Sequence, residues 1–139
     1  MKPIYILFGA PGSGKTWVMN QLSDKFNCLP HDRFLNSRVS YERLLVAAAQ
    51  TSSAPILADS PFKVNSMIDE LRGLGAEVRP YFILESEATI RARYQAREGK
   101  PIPVGHITRI SSLTAKAKEL IAPSGTSEQV LALLKAKTK

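Results

Sequence analysis

Residues 9–16 read Gly-Ala-Pro-Gly-Ser-Gly-Lys-Thr and fill every fixed position of the spacing G-x-x-x-x-G-K-[ST]. The residues on either side give that spacing its meaning. Ile4 to Phe8 is β-branched and aromatic and predicts a buried strand. Residues 14–26, with Trp17, Val18, Leu22 and Phe26 near helical spacing, predict a helix. Glycines between strand and helix let successive backbone N–H groups, from about Gly12 to Thr16, converge on one anion. The helix N-terminus adds its positive potential. A glycine-rich structural turn is the competing reading; it is set aside because every fixed position is filled and the strand–loop–helix setting is present. Gly9, Ala10, Pro11, Gly12, Ser13, Gly14, Lys15 and Thr16 therefore read as a cradle for nucleotide phosphates. Lys15 is placed to reach the β- and γ-phosphates, and the Thr16 hydroxyl to ligate Mg2+; ATP and Mg2+ are the expected cofactors.

The rest of the chain alternates in the same way. Strands are expected at 54–58, ending at Asp59, and at 78–84, with a weaker one at 28–30 and a last short one at Leu120-Ile121. Helices are expected at 40–50, 63–74, 86–98 behind a Ser86/Glu87 cap, about 104–117, and 126–137. Gly99 to Pro103 breaks the chain between two of them. Strands alternating with helices predict an α/β fold of three layers, with a central parallel sheet of about five strands, helices on both faces and a helical lid. One domain is expected over residues 1–139, the lid at about 91–105. Ligands of such sheets bind at the carboxyl ends of the strands.

Composition narrows the setting. Hydrophobic residues at 44% and charged residues at 22% argue against disorder. No apolar run approaches the roughly 20 residues that span a bilayer, so no membrane partner is expected. The first apolar run is too short for a signal peptide. Cys28 is the one cysteine; it allows no internal disulfide, suits a reducing cytoplasm, and is expected as a small buried hydrophobe. The net charge of +7 is concentrated: residues 91–118 hold seven basic side chains (Arg91, Arg93, Arg97, Lys100, Arg109, Lys116, Lys118) against Glu98 alone. Such an excess attracts phosphates, although a solvated basic face is the other reading.

A nucleotide site alone does not give a function. No N/T-K-x-D base-reading motif is present, which argues against a switch GTPase. A chain of this size with the loop near its start suggests a small kinase, and a kinase needs a group to hold the acceptor hydroxyl. Asp32, after the second expected strand, is that candidate; a helix-cap aspartate is the alternative. His31 beside it reads as structural. Arg33 or Arg38 is a candidate for a substrate phosphate, or a surface residue. Asp59 at a strand end is a candidate magnesium ligand through water, or a turn residue. Arg93 and Arg97, four apart, share one helix face; as a lid they would close over ATP, set guanidinium groups on the transferring phosphoryl and expel water.

The sequence GAPGSGKT, then HDR at 31–33, ILADSPF at 56–62 and IRARYQAREGKPIP at 90–103 resembles, in order and spacing over residues 4–118, the kinase domain of phage polynucleotide 5′-hydroxyl kinase and its small P-loop kinase relatives. The resemblance implies that Asp32 takes the general-base position, Lys15 and Thr16 the phosphate and magnesium positions, and Arg97 the lid position on ATP. It also implies that residues 120–126 lie near the adenine. Two departures touch the acceptor. Leu35 stands where the family has an arginine, so that the acceptor phosphate contact is either lost or supplied by Arg38, and Ser60-Pro61 replaces the more usual Thr-Asn. No phosphatase domain is expected within these 139 residues.

The leading expectation is therefore an ATP-dependent kinase acting on a hydroxyl acceptor, most directly the 5′-hydroxyl of a nucleic acid. A nucleoside, nucleotide or other small-metabolite kinase is the alternative, and a non-catalytic ATP-binding regulator a third. Tyr41, Phe62 and Tyr94 are candidates for base stacking, with packing as the commoner use. Trp17 is expected to pack on the sheet, and His106 has no expected partner. The residues do not choose between ATP and GTP, and no oligomeric state follows from them.

Overall fold

Every residue of Ile4–Gly9 is buried, and this stretch forms β1 at the centre of a five-stranded parallel sheet. The structure is a computed structural model and describes residues 1–34, 38–60 and 63–138, without the side chains of residues 34, 38 and 39. The expectations for Leu35, Arg38, Pro61 and Phe62 lie outside the described residues. β1 pairs with β3 (Ile56–Ser60) on one side and β4 (Val78–Ile83) on the other, Ile4 standing beside Ile56 and Val78. β2 (Asn27–Leu29) flanks β3, and β5 (Ser124–Gly125) flanks β4, giving the order β2-β3-β1-β4-β5.

Both faces are covered, which is why the central strands are continuously apolar. Ile4, Ile6 and Phe8 face a core supplied by α3 (Arg38–Thr51), α4 (Val64–Gly73) and α6 (Val104–Glu119), with Leu45, Met67, Leu71 and Leu113. Tyr5 and Leu7 face the opposite core, built by α1 (Lys15–Gln21) and α7 (Ser127–Ala136) through Val18, Leu22, Val130 and Leu134. Each such side chain contributes about 1.5–3 kcal/mol by leaving water. The expected three-layer fold is the one that forms. A short α2 (His31–Phe34) follows β2, and α5 (Glu87–Glu98) follows β4. Among the described residues no helix is long and apolar enough to cross a membrane.

Three element boundaries differ from expectation. α1 ends at Gln21 instead of reaching 26; Leu22 leaves the helical region (φ −114°, ψ 6°), and the N–H groups of Lys25 and Phe26 both return to its carbonyl at 3.0 Å. β3 starts at Ile56, because the Ser52 hydroxyl donates to the Ala54 carbonyl at 2.8 Å and Pro55 has no N–H to give a ladder. Leu120-Ile121 is not a strand. Ala122 N–H reaches back to Ala117 O at 3.0 Å, with Ile121 left-handed at φ 50°, so these residues close α6 in the way a glycine usually does. The edge strand comes later, where Phe82 and Leu84 donate to Pro123 and Gly125.

Ser86 and Thr126 cap α5 and α7, each accepting from the N–H three residues on. The C-terminal ends of β1, β3 and β4 therefore open on one edge, flanked by α2, by α5 and by the first turn of α7.

Candidate active site

β1 delivers the glycine loop to that edge. Ser13 N–H bonds back to Ala10 O at 3.0 Å and turns the chain into α1. Gly14 sits at φ 105°, where a side chain would be strained, and a Cβ there would lie 3.0 Å from the Ser127 Cβ. A Cβ on Gly9 would come within 2.4 Å of Ser13 Oγ, so any larger residue there would force the Ser13 side chain to shift.

Lys15 curls over the loop and donates to Gly9 O at 2.7 Å. Burial pushes its pKa down to about 8; Asp59 pulls it upward, and the charges of Arg109 and Arg97 push it down further. Ser13 Oγ is fully buried and makes no hydrogen bond. An orphaned hydroxyl, a left-handed glycine turn at the head of a helix, and an ammonium folded onto its own loop fit a phosphate group. The Thr16 hydroxyl and the Asp59 carboxylate are hard oxygen donors of the kind magnesium takes.

A cavity of about 290 Å3 lies over the loop. Its walls bring together the loop residues Ala10 to Thr16 (other than Ser13) with His31, Asp32, Asp59, Arg93 and Arg97. Asp32 lies in the first turn of α2, exposed, and lines the same cavity as the loop. Asp59 is a strand residue, 5% exposed. Its Oδ1 accepts from His31 N–H at 2.9 Å, and its Oδ2 lies 3.2 Å from His31 Nδ1. His31 is thus the structural neighbour that the sequence suggested, and it orients the carboxylate.

The arginine helix differs in detail from expectation. Arg91 points away and pairs with Glu87 at 2.8 Å. Arg93 donates to Ser13 O at 3.1 Å and Gly12 O at 3.4 Å, so its guanidinium holds loop backbone. Arg97 lies over the Tyr94 ring (5.5 Å to the centroid), with Nε 3.0 Å from Glu98. Ile90, Tyr94 and Ile102 pack on Ala10 and seat the arm on the loop.

Sequence reasoning missed Glu85 and Ser127. Glu85 Oε1 accepts from Ser127 N–H at 2.8 Å and Ser127 Oγ at 2.9 Å and stands 3.7 Å from Arg93, tying α7 to the loop. The available signal was an acid just past the apolar run of β4, the same signal that marked Asp59. Trp17 is 44% exposed rather than packed on the sheet, because Val18 and Met19 occupy the inward positions of α1. With Gly14, Arg93, Ser127 and Glu128 it lines a neighbouring cavity of about 300 Å3. Tyr41 is a core residue whose hydroxyl bonds Leu29 O, and Tyr94 is buried. His106 has a partner after all, the Tyr94 ring, edge to face at 5.7 Å. Cys28 is only partly buried; its thiol faces Met19 O at 3.5 Å.

No family model matches the chain, and no curated protein matches it in sequence. Solved structures do. A gluconokinase from Sinorhizobium meliloti 1021 is 15% identical with a TM-score of 0.65, over 98% of this chain and 93% of that one. The tunicamycin resistance protein of Deinococcus radiodurans is 14% identical with a TM-score of 0.74, over 99% and 95%. Shikimate kinase from Acinetobacter baumannii, in complex with shikimate, is 12% identical with a TM-score of 0.58, over 99% and 95%. At these identities the likeness is one of fold: the parallel five-stranded sheet with helices on both faces is shared with these structures.

Proposed function

We propose that the protein is a P-loop kinase that transfers the γ-phosphoryl group of ATP to an alcohol, and that the alcohol is the 5′-hydroxyl of a nucleic acid. The observation that carries the kinase reading is that one cavity is lined by Lys15, Thr16, Asp59, Asp32 and Arg97 together. The resemblance along residues 4–118 and the basic stretch 91–118 support the nucleic-acid acceptor.

In this reading the loop N–H groups and Lys15 bind the β- and γ-phosphates, Lys15 leaving Gly9 O to do so. Thr16, and Asp59 through water, would hold Mg2+, which would supply charge neutralisation to the phosphates. Asp32 orients the acceptor hydroxyl and takes its proton as the new O–P bond forms. The bond between the γ-phosphorus and the bridging oxygen breaks, and ADP leaves with the electron pair. Arg97 faces the charge spread over the transferring group, and the seated arm excludes water that would compete with the acceptor. Arg93 acts on the loop rather than on the phosphoryl group.

A small hydroxylated metabolite is the second reading, favoured by the fold shared with a gluconokinase and a shikimate kinase. The test is γ-labelled ATP with Mg2+ against 5′-hydroxyl oligonucleotides, nucleosides, nucleoside monophosphates and sugar acids. Label on the oligonucleotides, with binding that weakens steeply as salt rises, supports the first reading. Label on a small acceptor alone supports the second. Asp32→Asn should keep ATP affinity and lose about 100-fold or more in turnover. ATP binding with no transfer to any acceptor would leave a nucleotide-binding regulator.

A further inference from the structure

A third cavity, of about 520 Å3, is lined by α1, the turn that leaves it, the edge strand β2 and α2. The early end of α1 shapes it. Because the chain turns at Leu22 instead of continuing as helix, Ser23 and Phe26 enter the lining. Thr16, Met19 and Asn20 also line it; spaced three and four apart, they share one face of α1. Thr16 and Asp32 line the phosphate cavity as well, so the two spaces adjoin at the magnesium candidate and at the candidate acceptor carboxylate.

A water-filled groove between a helix and an edge strand is the ordinary account of such a space. Three features point instead to a ligand. An acceptor hydroxyl held by Asp32 belongs to a molecule that needs room, and this cavity offers it within the range that holds small ligands, roughly 300–1,000 Å3. The lining is balanced in charge, with Asp32 its one acid and Arg33 its one base, which fits an uncharged group. It also divides by chemistry. Met19 and Phe26 are buried and Cys28 and Pro30 half-buried, and these make the apolar part. Asn20 and Ser23 are exposed and make the polar part. The Ser23 hydroxyl donates to the Asn20 backbone carbonyl at 3.4 Å, and among the described residues the Asn20 side-chain amide has no partner. An apolar surface edged by an amide matches a flat heterocycle. A polyol carries hydroxyls on both faces and would leave some of them unpaired against Met19 and Phe26.

We propose that this cavity seats the base of an acceptor nucleoside, its ring against Met19, Phe26 and Pro30 and its polar edge on the Asn20 amide. An amide offers a donor and an acceptor together, the pair that a base edge presents in return. Asn20 follows Thr16 by about 6 Å along the helix axis, a span that the ribose bridges to bring its 5′-hydroxyl to Asp32. The inference rests on the kinase reading and extends it: the base beside the reacting hydroxyl is itself bound.

The test saturates the protein with a non-hydrolysable ATP analogue and Mg2+ and then titrates the four deoxynucleosides by calorimetry. At least one is expected to bind with a Kd of about 1 mM or tighter. Asn20→Ala, an exposed helical position, should weaken it about three- to tenfold. Cys28, the chain's one cysteine, reports the place of binding. At pH 9, chosen because burial pushes its thiol up to about 11, bound nucleoside should slow alkylation by iodoacetamide in proportion to occupancy. Analogue binding without nucleoside binding overturns the inference and leaves the kinase reading standing. So does nucleoside binding that is unchanged in Asn20→Ala or leaves Cys28 equally reactive, and so does binding of gluconate or glucose in place of the nucleosides. Failure of the analogue to bind removes both. Transfer assays then separate the sources of the base. A 5′-hydroxyl oligonucleotide should be phosphorylated with a kcat/KM at least about tenfold above that of the same strand with an abasic 5′ residue. Equal use of the two strands overturns the inference. Transfer to free nucleosides alone keeps it and makes the acceptor a nucleoside. If nothing is phosphorylated, the titration decides alone.

Discussion

Replacing Lys15 by methionine should stabilise the ligand-free protein at neutral pH, even though it removes the residue most central to the site. The Lys15 pKa falls from 10.5 to about 8 on folding, mainly through burial. At about 1.4 kcal/mol per unit, the charged lysine costs the native state roughly 3 kcal/mol. Methionine has nearly the same length and no charge. It forfeits the hydrogen bond to Gly9 O, worth about 1 kcal/mol, so a net gain of about 2 kcal/mol is expected. For a domain of this size that is a rise of about 4–8 °C in Tm. The sign is open to test through pH. Below pH 8 Lys15 is charged in both folded and unfolded chains and the full penalty applies; above 10.5 it is neutral in both and the penalty is gone. Wild-type stability therefore gains a rising increment between pH 8 and 10.5 that the variant lacks. Cys28, whose pKa is pushed up to about 11 by burial, acts oppositely over pH 9 to 11, but it is present in both proteins and cancels in the difference. Urea melts of both proteins at pH 7 and pH 10.5 measure the effect. A variant no more stable than wild type at pH 7, or an advantage that persists at pH 10.5, would refute the reasoning.

Gly9→Ala should weaken ATP binding by about 1–3 kcal/mol, since its Cβ would come within 2.4 Å of Ser13 Oγ. The double variant with Ser13→Ala should regain about 0.5 kcal/mol or more, and strict additivity in nucleotide titrations would rule out this contact as the cause. Ile121→Gly should raise the Tm, because Ile121 is 91% exposed and left-handed; the gain is about 1 kcal/mol, and a loss in thermal melts would show that the side chain matters after all. Glu85→Ala should cost about 1–3 kcal/mol, the Ser127 N–H and hydroxyl losing their acceptor. Urea unfolding reads this directly, and an unchanged midpoint would mean that water replaces the carboxylate.

Most of the sheet was legible because its central strands are buried on both faces: Ile4 to Phe8, Ile56 to Ala58 and Tyr81 to Ile83 announce themselves as apolar runs. The turn of the loop was legible because its glycines are adjacent in sequence, and the approach of Asp32 and Asp59 to one cavity because the first follows β2 and the second stands next to the end of β3. What stayed hidden depends on groups distant in sequence. Glu85 meets Ser127 across 42 positions, and nothing local to Arg93 says that it will bond Gly12 and Ser13. Trp17 was misread because the hydrophobicity of an indole says nothing of its direction, which the neighbouring Val18 and Met19 decide. The turn at Ile121 defeated the reading for a related reason. A β-branched residue predicts extended backbone, and only the way α6 terminates places it in the left-handed region.

The anchoring of Arg93 decides where the arm pivots. Swinging it from its root would break two bonds to loop carbonyls and uncover Ile90 and Tyr94, at about 2 kcal/mol or more for each ring or branched side chain. Lifting only the part beyond Gly99, itself left-handed at φ 70° with nothing within 4 Å of where a Cβ would stand, would uncover Ile102 and the partly buried Ile107 and Ile110 while leaving the Arg93 bonds intact. Any bending of the arm beyond Gly99 would therefore leave the two bonds of Arg93, and with them the cradle beneath, in place.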